Sequence, residues 1–127
     1  MFSVKSYAEL SKDELFAILR ARVEGFVVEQ TCAYPEIDEV DNHDLTQHLF
    51  VFKEQQLAAY ARCYDKNEQF SAFGRVLVAK QFRGQGLASK LVQMAIETCQ
   101  QRWPEKAILI GAQCYLTGFY QQFGFKN

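Results

Sequence analysis

The sequence contains few of the residues that interrupt regular structure or mark disorder. It has 2 prolines and 7 glycines among 127 residues. Hydrophobic residues make up 49% of the chain and charged residues 23%, which is the balance of an ordinary globular domain. A chain of this length buries one good core and is too short for two independent ones. We therefore expect a single domain over residues 1–127.

An excess of one charge, a long apolar run and a cationic leader are also missing. The 14 lysines and arginines nearly balance the 15 aspartates and glutamates, so that the net charge is -1. No global field would then hold the chain on nucleic acid or on an anionic membrane. The first residues alternate and then become polar, unlike a signal or membrane-spanning segment. These absences favour a cytoplasmic protein with a small-molecule partner.

The cysteines form no Cys-x-x-Cys pair. The four residues, Cys32, Cys63, Cys99 and Cys114, are far apart in the sequence. The spacing therefore indicates neither a zinc knuckle nor a redox site of the thioredoxin type, and we expect no metal centre. Reduced, mostly buried thiols are the expected state of such cysteines.

The hydrophobic pattern predicts the elements of the first half of the chain. A short strand is expected over residues 2–7, and the capping box of Ser11 and Glu14 predicts a helix from there to about Glu29. The apolar residues of this helix recur every three or four positions and are expected to face the core: Leu15, Phe16, Ile18, Leu19, Val23, Phe26 and Val27. Residues 48–53, 57–64 and 70–78 are β-prone runs that predict a three-stranded antiparallel meander.

The pattern changes after Val78. A polar, glycine-bearing loop leads into a helix that starts near Leu87 and should end near Trp103, because the residue before a proline is pushed out of helical geometry. Residues 107–110 form a short apolar strand before Gly111. A last short helix is expected over residues 116–123, stopped by the glycine that follows.

The loop between the third strand of the meander and the long helix has the features of a phosphate site. It contains Gly84 and Gly86 just before a helix N-terminus, where unpaired N–H groups and the positive end of the helix dipole meet. The glycines would allow close approach of the backbone, and Arg83 would add a charge-assisted contact. A pyrophosphate group fits such a turn.

Other interpretations of this loop fit the residues less well or remain open. A P-loop would need Gly-Lys-Ser/Thr, whereas Leu87 follows Gly86. A dinucleotide-binding turn would have a third Gly or Ala where Ser89 stands, and an acidic residue where Gly111 ends the next strand. A glycine turn with a purely structural role remains an alternative on the residues alone.

Two motifs in order resemble those of the Gcn5-related N-acetyltransferase (GNAT) superfamily. Gln81-x-x-Gly84-x-Gly86 after a strand resembles its motif A, and Phe119-Tyr120-x-x-Phe123-Gly124-Phe125 resembles its second motif. The ElaA-like branch is indicated by three further segments, which lie at residues 20–30, 32–38 and 74–76. The implied fold is the α/β (α+β) acyl-CoA N-acyltransferase fold, a mixed, mostly antiparallel sheet flanked by helices and splayed beside the motif A strand.

The resemblance implies acetyl-CoA as co-substrate and an amine as acceptor. Tyr120 would then be the general acid that protonates the leaving thiolate. Backbone groups of the motif A strand would hold the acetyl carbonyl and the pantetheine arm, and the glycine loop would hold the diphosphate. The implied coenzyme-binding residues are Val76, Leu77, Val78, Arg83, Gly84, Gln85, Gly86, Leu87, Ala88 and Ser89.

No general base stands out in the sequence. Glu29, His48 and Asp38 are candidates, but each is also explained as a surface charge, a strand histidine or a loop carboxylate, and a bridging water is a further option. An acyl-cysteine route through Cys114 has no neighbouring histidine to support it. The acidic loop residues either steer a cationic acceptor or are simply solvated: Glu36, Asp38, Glu39, Asp41 and Asp44.

The sequence departs from the family pattern after the Gly124-Phe125 pair. By the resemblance, relatives usually continue into strands that complete the sheet and wall the acceptor pocket, and we expect this chain to lack those C-terminal strands. Either a partner subunit supplies the wall, as in a homodimer, or an exposed sheet edge invites association. We expect an N-acetyltransferase acting on a primary amine of a small molecule or peptide by direct attack. A non-catalytic acyl-CoA-binding module and a structural dimerisation domain are the alternatives.

Overall fold

The computed structural model describes residues 2–25 and 37–111 as a mixed sheet with two helices. The strands are β1 (Ser3–Lys5), β2 (Gln47–Lys53), β3 (Gln56–Asp65), β4 (Phe70–Val78) and β5 (Ala107–Gly111). The helices are α1 (Lys12–Arg22) and α2 (Leu87–Arg102). Short 3₁₀ turns precede α1 at Tyr7–Glu9 and follow β4 at Lys80–Phe82.

The five strands lie in the order β1-β2-β3-β4-β5. The pairs from β1 to β4 are antiparallel, which confirms the predicted meander, and β5 runs parallel to β4. A parallel neighbour needs a crossover connection, and α2 provides it. The predicted mixed, mostly antiparallel sheet is therefore confirmed.

The predicted capping box starts α1. The Glu14 backbone N–H donates to the Ser11 hydroxyl at 3.0 Å, and the Ser11 N–H donates to the Glu14 carboxylate at 2.9 Å. Each bond satisfies an N–H that has no partner within the helix. The side chain of Glu14 also pairs with Lys5 of β1, so the same residue links the helix start to the sheet edge.

The prediction that Phe16 faces the core is wrong. Ile18 is buried at 1% exposure, whereas Phe16 is 67% exposed. The two residues are two positions apart, which is about 200° around a helix, so they cannot share a face. Val23 is also exposed, at 38%. The predicted residues Phe26 and Val27 lie outside the described residues.

The first strand is shorter than predicted. β1 covers three residues, and Val4 in its middle is 40% exposed because β1 is the edge of the sheet. After Ser6 the chain turns, and the Ser6 N–H donates to the Glu9 carboxylate at 2.9 Å. This local bond competes with continued strand pairing.

The main core lies between the sheet and α2. It contains Leu49, Ala61 and Phe73 from the strands and Leu91 and Ala95 from the helix, each at 0% exposure. α2 ends at Arg102 as predicted, and Trp103 before the proline has φ -134 and ψ 65, outside helical geometry. Burial of this helix face against β3 and β4 is what holds the loop at its N-terminus in place.

Candidate functional site

A cleft of about 1250 Å³ opens between α1, the end of β4 and the start of α2. Nine of the ten residues predicted to hold the coenzyme line it. The tenth, Gln85, points to the neighbouring β2–β3 turn, where its side chain accepts a hydrogen bond from Lys53. The family resemblance implies that the coenzyme-binding residues line one cleft, and these nine residues do so.

The glycine loop places free backbone donors at one end of the cleft. Gly84 has φ 83 and Gly86 has φ 78, the left-handed geometry that glycine adopts without strain. Among the described residues, the N–H groups from Gly84 to Ser89 donate to no protein acceptor. The helix dipole adds partial positive charge at the same point, so this turn is suited to an anion.

A β-bulge bends β4 just before the cleft. The register passes from Arg62↔Gly74 to Tyr60↔Leu77, which places Arg75 and Val76 opposite the single residue Ala61. Arg75 has φ 54, a conformation that is uncommon for a residue with a side chain. Such a bulge interrupts the ladder and redirects the strand. The described part of β5 pairs with β4 up to Gly74, the residue just before the bulge.

Sequence reasoning missed the α1 wall of the cleft. Phe16 and Arg20 of α1 and Glu24, two residues after its end, recur every four residues and line the cleft. Arg20 Nε donates to Glu24 Oε1 at 3.3 Å, and both side chains are about two-thirds exposed. The signal available in the sequence was that the residues four and eight positions after Phe16, Arg20 and Glu24, are charged.

An ion cluster lies buried beside the bulge. Arg22, at 0% exposure, donates to both carboxylate oxygens of Asp41 at 2.5 and 3.2 Å. Arg62 bridges Asp41 at 2.9 Å and Asp38 at 2.7 Å, and Arg75 lies 3.6 Å from Asp38. The cluster therefore connects α1 and the segment before β2 with β3 and with the bulge of β4.

This cluster corrects the interpretation of the acidic loop. Burial alone would raise the pKa of the Asp41 carboxyl, but Arg22 outweighs it and keeps that pKa below 3.8. Burial likewise opposes ionisation of Asp38, and Arg62 lowers its pKa. Neither carboxylate is simply solvated or directed at a substrate, because both are held by arginines. Glu39 and Asp44 are exposed, and Glu36 lies outside the described residues.

His48 is a structural histidine of β2. It is 1% exposed, its Nε2 lies 3.0 Å from the Asp41 carbonyl oxygen, and its Nδ1 lies 2.6 Å from the Tyr60 hydroxyl. A carbonyl only accepts, so Nε2–H donates to it and the Tyr60 hydroxyl donates to Nδ1. Both ring nitrogens are thus used inside the protein, which leaves His48 no free lone pair for a substrate proton.

The buried imidazole predicts a loss of stability in mild acid. Burial lowers the pKa of His48 below 6.5, so the unfolded chain takes up this proton at a higher pH than the folded chain does. Stability should therefore fall as pH drops below about 6.5, with a slope of at most about 1.4 kcal/mol per pH unit.

Urea unfolding at pH 7.5 and at pH 5.5 would measure this slope. His48→Gln should flatten it, whereas the control His43→Gln, at an exposed position, should leave it unchanged. An unaltered slope in His48→Gln would contradict the assignment.

The remaining predicted residues lie in the core or outside the described residues. Cys63 and Cys99 are free and fully buried in the core between β3 and α2, as expected. Glu29, Cys32, Cys114 and Tyr120 lie outside the described residues. In residues 2–25 and 37–111, no cluster of histidine, cysteine and carboxylate side chains has the composition of a metal site. No helix in the same ranges is both long and apolar enough to cross a bilayer.

The sequence matches the acetyltransferase (GNAT) family over most of its length. Residues 9–127 match the family model of the acetyltransferase (GNAT) domain. The chain is 39% identical to protein ElaA of Escherichia coli over 121 residues, which are 94% of this chain and 79% of ElaA.

Solved structures agree with the sequence match. Escherichia coli ElaA superposes with a TM-score of 0.88 at 36% identity, covering 97% of this chain and 84% of ElaA. An acyl-CoA N-acyltransferase from Pseudomonas aeruginosa gives 0.87 at 37% identity, covering 98% of this chain and 87% of that one. A predicted acetyltransferase from Clostridium acetobutylicum, with acetyl-CoA, gives 0.74 at 13% identity over 100% and 91% of the two chains, which shows the fold alone.

The resemblance drawn from the two motifs is thus confirmed, and so is the fold class. The chain belongs to the GNAT acetyltransferase family, and acyl transfer is the chemistry that this family and fold support.

Proposed function

We propose that this protein transfers an acetyl group from acetyl-CoA to a primary amine of a small molecule or peptide, by direct attack of the amine. The observation that carries the proposal is the set of N–H groups from Gly84 to Ser89 at one end of the cleft, which find no acceptor among residues 2–25 and 37–111. The coenzyme diphosphate would accept from these donors. The Clostridium neighbour with acetyl-CoA has the same fold.

The reaction needs a base, an acid and groups that stabilise the charged carbonyl oxygen. The amine must be neutral to attack, yet only about one alkylamine in 2,500 is neutral at pH 7, so a base or a bridging water must take its proton. The new C–N bond forms as the C–S bond breaks, and the leaving thiolate then takes a proton from an acid. Backbone groups at Val76–Val78 would hold the carbonyl oxygen while it carries charge.

The described part of the cleft limits the choice of base. His48 is occupied on both nitrogens, and Asp38 is paired with arginines. Among the described residues, Glu24 is the one carboxylate that lines the cleft, and it is paired with Arg20. A water molecule that relays the proton to bulk solvent is consistent with this arrangement.

Two measurements test the proposal in sequence. Isothermal titration calorimetry with acetyl-CoA should show binding, which a purely structural domain would not. Release of the free thiol should then be detected with at least some members of a panel of polyamines, amino sugars and lysine peptides. Binding without thiol release on any amine would favour a non-catalytic acyl-CoA-binding module.

Tyr120→Phe should lower turnover with little change in coenzyme affinity. The phenol is the proposed donor of the thiolate proton, and general acid catalysis contributes about 10²- to 10⁴-fold to rates. The ring is retained in phenylalanine, so packing and binding should survive. Steady-state thiol release and calorimetry on the same preparation measure the two effects. Weakened coenzyme binding with an unchanged kcat would contradict the assignment.

A further inference from the structure

The turn between β2 and β3 lies against the glycine loop. Glu54 and Gln55 form this turn with φ 52 and 65, the paired left-handed residues of a tight hairpin. Two side-chain bridges join it to the loop on the other side of β3. Lys53 Nζ donates to Gln85 Oε1 at 3.4 Å, and Gln81 Nε2 donates to Gln56 Oε1.

The first of these bridges places an ammonium group at the side chain of a glycine-loop residue. Gln85 stands between Gly84 and Gly86, so the group that contacts its side chain lies at the loop that they form. A lysine ammonium has three donors, and one bond to Gln85 leaves two. In the described part of the chain, no carboxylate lies within ion-pairing distance of Lys53, and its charge stays uncompensated there.

Arg83, another cation of the loop, is partly used by the protein itself. Arg83 Nε donates to the Val78 carbonyl oxygen at 3.0 Å, which directs the guanidinium back toward the end of β4. A diphosphate carries a charge of about -2, and the loop amides contribute only partial positive charge. A second full charge at the loop would balance the anion.

We propose that Lys53 is a coenzyme-binding residue, whose ammonium contacts the diphosphate of the acyl-CoA, and that Gln85 is the residue that positions it. This inference rests on the proposed function. It also gives a role to Gln85, the one predicted coenzyme residue that does not line the cleft.

The test compares three ligands: CoA, dephospho-CoA, which lacks the 3′-phosphate, and pantetheine, which lacks the diphosphate as well. Lys53→Met should weaken the binding of CoA and of dephospho-CoA by the same factor, about fivefold at low salt, with no effect on pantetheine. The factor should shrink as salt is added, because the site is exposed and screened. Lys53→Arg should restore affinity, and Gln85→Ala should give a smaller loss.

Lys66→Met is the matched control. Lys66 is an exposed lysine in the turn at the opposite end of β3, so its replacement makes the same change of net charge far from the loop. CoA affinity should be unaltered in this variant.

Three results would overturn the inference, and they are distinguishable from one another. An affinity in Lys53→Met equal to that of the wild type would remove the contact altogether. A loss of affinity for CoA in Lys53→Met without a loss of affinity for dephospho-CoA would show that Lys53 contacts the 3′-phosphate instead. A wild-type protein that binds neither CoA nor dephospho-CoA would instead refute the proposed function, and the inference with it.

Discussion

Gly86→Glu is expected to abolish binding of acetyl-CoA. The new carboxylate would stand at the point where the diphosphate has to meet the loop amides. Two negative groups in contact repel each other strongly, so the diphosphate would be kept out. We expect a loss of affinity of at least about a hundredfold, or about 2.8 kcal/mol. A Cβ at this position would meet no atom within 4 Å, so the effect would not come from a steric clash in the folded protein.

Gly86→Asn is the control for backbone strain. Residue 86 has φ 78, and asparagine tolerates this left-handed geometry better than other residues with side chains. The asparagine variant should keep most of the affinity and a similar melting temperature. Calorimetry on both variants, with thermal unfolding alongside, measures the difference. If glutamate and asparagine at this position bound the coenzyme equally well, the loop would not be the diphosphate site.

Asp41→Asn is expected to be strongly destabilising. The Asp41 carboxylate is 7% exposed and compensates Arg22 and Arg62, which are at 0% and 4% side-chain exposure. Removal of one partner leaves buried positive charge without compensation, which costs about 3–5 kcal/mol. A domain of this size is stable by about 5–15 kcal/mol in total, so much of its stability should be lost.

The matched control is an exposed ion pair next to the cluster. Arg20 lies two residues before Arg22 and Glu24 two residues after it, and their side chains are 68% and 65% exposed. Exposed pairs contribute little, so Glu24→Gln should change the free energy of unfolding by about 0.5 kcal/mol or less. Chemical denaturation of both variants would measure the contrast. Equal effects of the two substitutions would mean that burial of the cluster does not matter to stability.

Local signals in the sequence were enough for most of the elements. The capping box at Ser11, the proline after Trp103 and the β-prone runs of β2 to β4 each act over a few residues, so they indicate where helices and strands start and stop. The glycine loop is also a local signal, because the left-handed backbone at residues 84 and 86 favours glycine. The two ordered motifs then indicated the family.

The same reasoning misplaced residues whose environment depends on distant parts of the chain. Asp41 was interpreted as a loop carboxylate because nothing near it in the sequence shows that Arg22, 19 residues away, packs against it. Phe16 fitted an apolar stripe by spacing, but the sheet contacts the other side of α1. His48 was one of several candidate bases until Tyr60 and the Asp41 carbonyl were seen to occupy its nitrogens.

The sequence by itself determined the family, the order of the elements and the position of the glycine loop, because these depend on contacts between neighbours along the chain. Tertiary structure alone decided which charges are buried together, which wall of the cleft α1 supplies, and that Lys53 stands beside Gln85, 32 residues away. Side-chain contacts of that kind are set by how strands and helices pack, and a linear pattern carries no record of that packing.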